Sequence, residues 1–369
     1  MHTSDPFMRQ ALAQARRAVG LSDPNPRVGC VIVSADGGQL LGEGHTQAAG
    51  DAHAEIMALR DAAAKGHSVA GATAYVTLEP CSHHGRTAPC CDALVAHRIG
   101  KVVASLPDPN PRVAGQGFER LRAAGVEVLC GPGAFESREL NLGFFSRMVR
   151  KTPWLRMKIA ASLDGRTALD NGVSQWMTSE PARADGHAWR ARAGAVLTGI
   201  GTLLEDDPRL DVRHVPTLRQ PDAVVIDSRL QTPLDAAIFL PGRGLFIYAA
   251  AQDAQRQSAL EGRGATVIHL PGAGGKVDLA AMLRDLAQRG VNELHVEAGH
   301  KLNGSLIREA LVDELLVYLA PKLVGQGREM AHFGPLTDLA QAIPLKFLSS
   351  DMIGPDLRVV ARVAGRDQF

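Results

Sequence analysis

Two periodicities of apolar and polar residues alternate along the first 130 residues of the chain. Apolar residues recur at helical spacing over residues 7–19, and a continuous apolar run at 28–33 then predicts a buried strand. The same criteria predict further strands at 39–43, 72–78, 101–105 and 126–130 and helices at 52–64, 90–98 and 118–124. Alternating helices and strands of this length indicate a mixed α/β domain.

The second half of the chain repeats this alternation after a short basic stretch that ends in Pro153. Strands are predicted at 154–161, 195–199, 223–227, 245–249, 265–270, 292–297 and 314–320, and helices at 182–192, 278–289 and 302–310. We therefore expect two α/β domains, residues 1–147 and 148–369.

Local signals place polar residues at the ends of two predicted helices. Asp51 is a candidate N-cap, which would put His53 and Glu55 in the first turn of the helix at 52–64. Pro89 would occupy the first position of the next helix, directly before Cys90. A thiolate at a helix N-terminus is favoured by the positive end of the helix dipole, which prepares it to bind a metal.

His53, Cys81 and Cys90 form a candidate zinc ligand set. One His and two Cys leave the fourth position of a tetrahedral zinc open for water, as in catalytic sites. The order His-x-Glu followed by Pro-Cys and a second Cys is that of the zinc deaminases, with Glu55 as the non-ligand acid/base. Eight residues separate the two Cys where the short form of the motif has two. Spacing leaves three rival ligands open: His83, His84 and Cys91. Spacing also leaves open how Glu55 reaches a zinc-bound water, because residues two apart lie on roughly opposite faces of a helix.

Composition excludes several other function classes. With 45% hydrophobic and 21% charged residues among 369, the balance is that of a soluble protein, and the apolar runs are too short for a membrane helix. The net charge of +1 provides no field that would attract nucleic acid or lipid. Five cysteines, an odd number, indicate free thiols in a reducing compartment. We therefore expect a cytoplasmic protein that acts on small molecules, with neither a nucleic acid nor a membrane as partner.

One hexapeptide, Asp-Pro-Asn-Pro-Arg-Val, occurs at 23–28 and again at 108–113. Proline on either side of Asn fixes two φ angles, so both copies can be stiff turns at strand edges. Alternatively, one or both loops line the deaminase pocket and hold substrate through the Asn. The sequence leaves both interpretations open.

The candidate chemistry of the second domain is less specific. No G-x-G-x-x-G motif is present, so a Rossmann fingerprint is absent. Gly-bearing strand ends at 198–202 and 297–305 are either phosphate cradles at helix starts or ordinary turns. A bound phosphate would also need one or two arginines, and five cluster in sequence here: Arg183, Arg190, Arg192, Arg209 and Arg213.

The segment at 77–91, TLEPCSHHGRTAPCC, is similar to the bifunctional deaminase-reductases of riboflavin biosynthesis, the RibD type, in which a long insertion separates the two Cys ligands. Further similar segments are AASLDGR at 160–166, SQW at 174–176, DDP at 206–208, VEAG at 296–299 and APKL at 320–323. The resemblance therefore covers nearly the whole chain. It implies an N-terminal cytidine-deaminase-like domain of three α/β/α layers and a C-terminal α/β domain of dihydrofolate-reductase-like fold.

The resemblance also implies two reactions. The first is hydrolytic deamination of 2,5-diamino-6-(5-phosphoribosylamino)pyrimidin-4(3H)-one, and the second is NADPH reduction of the ribosyl to a ribityl side chain, giving 5-amino-6-(5-phosphoribitylamino)uracil. Zn²⁺ and NADPH would be the cofactors. We expect a homo-oligomer, either a dimer or a tetramer.

By position, His53, Cys81 and Cys90 resemble the zinc ligands of that family, and Glu55 resembles its proton shuttle. The residues that resemble cofactor contacts are Ala161, Trp176, Thr202, Asp206, Ser228, Gly299, His300, Lys301, Leu302, Asn303, Gly304 and Ser305. Those that resemble substrate contacts are Ser174, Arg190, Leu210, Arg213 and Glu297. Trp176 would otherwise be read as a packing residue, like Trp154 and Trp189. Three positions depart from the frequent residues of the family: Thr46 after His45, Ala88 and His300.

Two other functions remain open from the sequence. A nucleotide or tRNA deaminase with a regulatory nucleotide-binding domain would share the zinc site and fail to use NADPH, and a tRNA editor would be expected to carry a basic face. A structural zinc domain fused to a nucleotide sensor would hold its zinc with four protein ligands.

Overall fold

The computed structural model describes residues 3–83, 88–110 and 114–369. The chain divides into two compact units, Met1–Lys151 and Thr152–Phe369. Both contain helices packed on a sheet, which confirms the mixed α/β class expected from the sequence. Within the described ranges, no helix is both long and apolar enough to span a bilayer.

The first unit is built on one five-stranded sheet. Its strands are β1 (Gly29–Val33), β2 (Leu40–His45), β3 (Thr73–Val76), β4 (Lys101–Ala104) and β5 (Glu127–Cys130), in the spatial order β2-β1-β3-β4-β5. β1 pairs antiparallel with β2 and β3, whereas β3, β4 and β5 run parallel. Its helices are α1 (Pro6–Arg17), α2 (Ala54–Ala64), α3 (Cys90–Ala96), α4 (Gln116–Ala123), α5 (Ala134–Leu140) and α6 (Leu142–Val149).

Glycines let two helices approach this sheet closely. A Cβ on Gly29 of β1 would lie 1.9 Å from the carbonyl oxygen of Ala11 in α1. A Cβ on Gly42 of β2 would lie 2.3 Å from the carbonyl oxygen of Ala58 in α2. No side chain fits at either contact, because real Cβ atoms do not approach other heavy atoms within 3.0 Å. The close seating of α2 on β2 fixes where the N-terminus of α2 lies.

The predicted start of α2 is wrong by two residues, whereas the predicted start of α3 at Cys90 is correct and only the position given to Pro89 is wrong. α2 begins at Ala54, and His53 occupies the N-cap position in extended conformation (φ −76°, ψ 168°), so Asp51 is not the N-cap. α3 begins at Cys90, and Pro89 is the residue before the helix instead of its first member, because its ψ of 132° is extended. His53 and Cys90 therefore lie at the N-terminal ends of the two helices.

The second unit contains a nine-stranded sheet with the order β11-β10-β9-β8-β12-β6-β13-β16-β15. The strands of this unit are β6 (Trp154–Ser162), β7 (Arg166–Leu169), β8 (Ala195–Gly199), β9 (Asp222–Ile226), β10 (Leu245–Ala249), β11 (Thr266–His269), β12 (Glu293–Val296), β13 (Glu314–Ala320), β14 (Gly327–Glu329), β15 (Leu345–Ile353) and β16 (Asp356–Val363). Its helices are α7 (Glu180–Arg192), α8 (Ile200–Asp206), α9 (Ala254–Glu261), α10 (Leu279–Gln288) and α11 (His300–Arg308). In this spatial order, the seven strands from β11 to β13 run parallel to one another. β16 then pairs antiparallel with β13, and β15 pairs antiparallel with β16 at the edge.

Alternation along β6 separates an apolar core from a charged layer. Leu155 and Met157 are fully buried in the cluster that includes residues of α10 and α11. The alternate residues Arg156 and Lys158 point to the other face of the strand. There, Nη1 of Arg156 donates a hydrogen bond to Oε2 of Glu293 at 2.9 Å. The charged layer is buried and ion-paired, as buried charges must be. It leads toward the carboxyl ends of the parallel strands, where ligands bind in open α/β sheets.

Candidate active sites

His53, Cys81 and Cys90 converge at one point in the first unit. The Sγ atoms of Cys81 and Cys90 lie 3.5 and 3.4 Å from Nδ1 of His53, and all three ligand atoms lie within 4.8 Å of one another. Ligands at about 2.0–2.3 Å from a tetrahedral zinc are separated by roughly 3.6 Å, so this triangle fits zinc. Among the residues that the structure describes, no other group of three His, Cys, Asp or Glu has such a geometry.

Of the two thiols in this triangle, Cys81 is the one held as a thiolate, whereas the hydrogen bond with Cys81 raises the pKa of Cys90 well above its ordinary value. Hydrogen bonds from Cys90 and His53 lower the pKa of the Cys81 thiol to about 4, against the opposing effect of burial. The backbone N–H of Cys90 also donates to Sγ of Cys81 at 3.3 Å. A thiolate, not a thiol, is the form that binds a metal. The hydrogen bond to Cys81 raises the pKa of His53, so the two groups favour each other's charged form.

Cys91 points away from the triangle. Its Sγ donates to the carbonyl oxygens of Pro80 and Gly117, at 3.2 and 3.5 Å. Burial raises the pKa of this thiol to about 12, which keeps it protonated. The structure therefore brings Cys90, and not Cys91, to His53. Of the other two rival ligands, His83 is outside the triangle and His84 falls outside the described residues.

Glu55 lies in the first turn of α2, beside the triangle. Its side chain is buried, and burial followed by the charge of Cys81 raises the pKa of Glu55 to about 7. The carboxylate hydrogen-bonds to Cys90, so it reaches the ligand set from its position on the helix. A buried carboxyl group with a pKa near neutrality can both take and give a proton at physiological pH.

Both copies of the repeated hexapeptide line the cavity that opens onto His53 and Glu55. The first copy contributes Asn25 with its flanking prolines, and the second contributes Asp108 and Asn110. This placement favours the pocket interpretation of the repeat over two unrelated turns. Residues 111–113 of the second copy fall outside the described residues.

Two further residues of this cavity were not expected from the sequence. Arg147 of α6 donates through Nη2 to the carbonyl oxygen of Pro24 at 2.8 Å, which ties this cation to the first loop. Burial raises the pKa of Asp108 to about 7. The repeat itself was the signal for Asp108, whereas nothing in the sequence near Arg147 distinguishes it from other surface arginines. Thr46, one of the departures from the resembled family, also lines the cavity.

In the second unit, Arg190 and Glu297 form a partly buried ion pair, with side chains that are 13% and 15% exposed. Nε of Arg190 donates to Oε1 of Glu297, Nη2 donates to Oε2 at 3.0 Å, and Nη1 donates to the carbonyl oxygen of Asp211 at 2.9 Å. Nζ of Lys158 lies 3.7 Å from Oε2 of the same carboxylate. Burial by itself raises the pKa of Glu297, but the charges of Arg190 and Lys158 outweigh it and hold the pKa well below its ordinary value. Glu297 is therefore an ionised carboxylate.

The cavity at this pair collects all of the predicted substrate contacts and part of the predicted cofactor contacts. Its lining includes Ser174, Trp176, Arg190, Thr202, Asp206, Leu210, Arg213, Glu297, Gly299, His300 and Asn303. Lys158 lines it too and was missed, because alternation along β6 marks it only as a polar strand residue. Trp176 is 61% exposed here and stacks under the guanidinium of Arg183, whereas Trp154 is fully buried, as expected of a packing residue.

A neighbouring cavity is lined by three further predicted loop residues, Lys301, Leu302 and Ser305. It is lined by Thr202, Ser228, Gly299, His300, Lys301, Leu302 and Ser305, with an apolar wall of Ile226, Val277 and Leu279. The N-terminus of α11 opens onto it at Gly299, and a helix N-terminus of this length favours an anion. An apolar wall beside a helix N-terminus fits a dinucleotide.

Two predicted cofactor residues, Ala161 and Gly304, line neither of these two cavities. Ala161 is buried in the core of the sheet, while its neighbour Ala160 lines the first cavity. Gly304 packs against the backbone of His332, and a Cβ there would lie 1.8 Å from the carbonyl oxygen of His332. Gly304 therefore allows a close contact between α11 and the following segment.

Two family models match the chain, the RibD C-terminal domain at residues 153–359 and the cytidine and deoxycytidylate deaminase zinc-binding region at residues 1–106. The riboflavin biosynthesis protein RibD of Escherichia coli K12 is 44% identical, and the match covers 95% of this chain and 97% of that protein. The RibD protein of Aquifex aeolicus is 37% identical over 95% of this chain and 96% of its own length.

Solved structures agree with these matches. Acinetobacter baumannii RibD, form 1, has a TM-score of 0.88 at 39% identity and covers 97% of this chain and 98% of its own. A Thermotoga maritima diaminohydroxyphosphoribosylaminopyrimidine deaminase/5-amino-6-(5-phosphoribosylamino)uracil reductase has a TM-score of 0.86 at 31% identity, with the same coverage. The expected fold class, a cytidine-deaminase-like domain followed by a dihydrofolate-reductase-like domain, is thereby confirmed. The chain belongs to the RibD family, the bifunctional deaminase-reductases of riboflavin biosynthesis.

Proposed function

We propose that the first unit deaminates 2,5-diamino-6-(5-phosphoribosylamino)pyrimidin-4(3H)-one and that the second reduces the product to 5-amino-6-(5-phosphoribitylamino)uracil. The observation that carries this proposal is the triangle of His53, Cys81 and Cys90, with Glu55 buried beside it. Three protein ligands leave a position open, which favours a catalytic over a structural zinc site. The reductase part of the proposal is supported by the match of residues 153–359 to the RibD C-terminal domain.

His53, Cys81 and Cys90 would hold one Zn²⁺ per chain. When bound, zinc supplies Lewis acidity that makes a water nucleophilic at neutral pH. Glu55 lies beside the ligand set and would move two protons in the reaction. The first would pass from the attacking water to the ring nitrogen next to the carbon that bears the 2-amino group. The second would pass from the new hydroxyl to the amino nitrogen, which leaves as ammonia while the carbon becomes a carbonyl. The raised pKa of Glu55 suits a group that must accept and release protons in each cycle.

The two Asn loops would bind the pyrimidine. Asn25 and Asn110 each offer an amide donor and acceptor to the cavity, and a pyrimidine with amino and carbonyl groups needs both kinds of partner. Asp108 adds a carboxyl group, and Arg147 adds a cation suited to the substrate phosphate. The alternative reading of the repeat as structural turns does not explain why both copies reach one cavity.

The second unit would bind NADPH in the cavity at the N-terminus of α11. Pyrophosphate oxygens suit the backbone N–H groups that follow Gly299, and Lys301 adds a cation. When bound, NADPH supplies the hydride that reduces C1 of the ring-opened ribose. Opening of the sugar ring leaves a C1=N bond, so the nitrogen needs a proton when the hydride adds to C1. Glu297, Arg190 and Lys158 line the adjoining cavity, and the ammonium of Lys158 could give that proton. The fork of Arg213, whose side chain is 44% exposed, suits the substrate phosphate.

We infer a cytoplasmic homo-oligomer, a dimer or tetramer, without nucleic acid or membrane as partner. All five cysteines are free, which suits a reducing compartment. β15 is an edge strand with four exposed apolar side chains, Leu345, Phe347, Leu348 and Met352. An apolar edge strand is normally covered, and a second copy of the chain would cover it symmetrically.

The whole proposal is tested on the purified full-length protein. We expect about one zinc per chain, ammonia release from the diaminopyrimidine, and NADPH oxidation that depends on prior deamination or on added deaminated intermediate. Ammonia release without NADPH binding would instead favour a nucleotide deaminase with a regulatory domain. Zinc held by four protein ligands, detected by X-ray absorption, would favour a structural site.

Cys90→Ser and Cys91→Ser separate the two ligand candidates. We expect Cys90→Ser to lose zinc and ammonia release, because it removes a thiolate from the triangle. Cys91→Ser should retain both, because its hydroxyl can still donate to the carbonyl oxygens of Pro80 and Gly117. Zinc content is measured by atomic absorption on both variants. Retention of zinc by Cys90→Ser together with loss by Cys91→Ser would reverse the assignment.

A further inference from the structure

Glu79 is a buried carboxylate that the proposed reactions do not use. It lies between β3 and Cys81, and only 4% of it is exposed. In the described part of the chain, its carboxylate forms no ion pair with a Lys or Arg. A buried carboxylate requires strong hydrogen bonds to remain stable.

Four backbone N–H groups supply those hydrogen bonds. Oε2 accepts from Asp108 at 3.1 Å and from Gly115 at 2.9 Å. Oε1 accepts from Gly117 at 2.8 Å and from Phe118 at 3.4 Å. The last two residues belong to the first turn of α4, where unpaired N–H groups and the helix dipole favour a negative charge. One side chain therefore fixes both ends of the segment between β4 and α4.

That segment carries two of the residues at the wall of the zinc cavity. The Asp108 carboxylate accepts from the backbone N–H of Asn110 at 2.7 Å, and the carbonyl oxygen of Asn110 accepts from Ala114 at 3.0 Å. Asp108 and Asn110 line the same cavity as His53 and Glu55. The position of Asn110 thus depends on contacts that begin at Glu79.

We propose that Glu79 is a positioning residue for the deamination reaction, whose four backbone hydrogen bonds hold Asp108 and Asn110 against the substrate. The inference rests on the deaminase function proposed above. Glu79 directly precedes Pro80-Cys81, so one short stretch of chain places a metal ligand and also anchors the wall that faces it. A change at Glu79 should therefore act on substrate binding before it acts on the metal.

Glu79→Gln tests this with little change of shape. The amide nitrogen is a donor, so it faces backbone donors and cannot replace a carboxylate oxygen. We expect kcat/KM for ammonia release to fall by about tenfold or more, with most of the loss in KM, because displaced binding groups weaken substrate binding. Zinc content and the reductase kcat/KM on deaminated intermediate should stay within about twofold of wild type. Glu79→Asp keeps the charge and should recover part of the loss.

Two further variants make the assignment specific. Glu119→Gln alters an exposed carboxylate on α4, the helix whose first turn donates to Glu79, and should leave both activities unchanged. Asn110→Ala should raise KM for deamination by a similar factor, and Glu79→Gln in the Asn110→Ala background should add little, because both changes remove one interaction. If the fold-change in KM of the double variant equals the product of the two single fold-changes, Glu79 does not act through Asn110.

Three results would overturn the proposal. The first is an unchanged deaminase KM in Glu79→Gln. The second is loss of zinc or of reductase activity in that variant, which would make Glu79 a general support of the fold. The third is absence of ammonia release in the wild type, which would overturn the deaminase function as well. Wild-type ammonia release with an unaffected variant would reject the role of Glu79 alone.

Discussion

Glu55→Ala is expected to reduce ammonia release by about 10³-fold or more, because general acid and base catalysis of this kind contributes up to about 10⁴-fold. The variant loses the group that takes the proton from water and gives it to the leaving nitrogen. Zinc should remain, since His53, Cys81 and Cys90 are unchanged. NADPH oxidation on added deaminated intermediate should also remain, because the reductase residues belong to the second unit.

The measurement follows ammonia and NADPH separately, with zinc quantified on the same preparation. Glu119→Ala is a matched control, an exposed carboxylate in the same unit that should leave both activities intact. Equal loss of the two activities in Glu55→Ala would contradict independent sites. Retained ammonia release would remove Glu55 from the mechanism.

The three residues that meet in the candidate metal site could be named from the sequence, but their geometry could not. Residue spacing suggested that Glu55 and His53 point to opposite faces of one helix. In the structure α2 begins only at Ala54, so His53 is extended and just outside the helix while Glu55 is inside it. Helix starts are decided by local dihedrals and by the close seating of α2 on β2, which no single-sequence pattern contains.

Four strands were missed by the sequence patterns: β7, β14 and β15 have little burial, whereas β16 is half buried. β15 has exposed or half-exposed residues at every position, so it lacks the alternation by which strands are recognised. β16 pairs with β13 on one side and with β15 on the other, so β15 forms the edge of the sheet. The central parallel strands were predicted correctly because burial on both faces gives continuous apolar runs. The missed helices α5 and α8 have seven residues each, about two turns, which gives a helical period little room to show.

The ion pair in the second unit changes what is expected of Arg190. The sequence favoured a phosphate contact, but Nε, Nη1 and Nη2 all donate to protein acceptors, Glu297 and the carbonyl oxygen of Asp211. Arg213 is paired through Nη1 with Asp211 at 2.7 Å and remains partly exposed in the same cavity. We therefore assign the orientation of Glu297 to Arg190 and the substrate phosphate to Arg213.

Arg190→Ala is expected to reduce the reductase kcat/KM by about 100-fold, since Glu297 loses its bidentate partner and shifts relative to the substrate. Removing one member of this partly buried pair should also lower the free energy of unfolding of the second unit by about 2 kcal/mol, less than for a fully buried pair. The pKa of Glu297 should rise, because burial then acts against only Lys158 and His295. The carboxylate becomes protonated as pH falls through that raised pKa, so the acidic limb of the reductase pH profile should move to higher pH.

Arg213→Ala separates these roles. It should raise KM for the deaminated intermediate while kcat and the acidic limb of the pH profile stay near wild type, because Glu297 keeps its pair with Arg190. Ammonia release serves as the internal control in both variants, since its residues belong to the first unit. A pH profile that stays unchanged in Arg190→Ala would contradict the role given to the pair, since a buried carboxylate cannot lose its main cation without a change in its protonation.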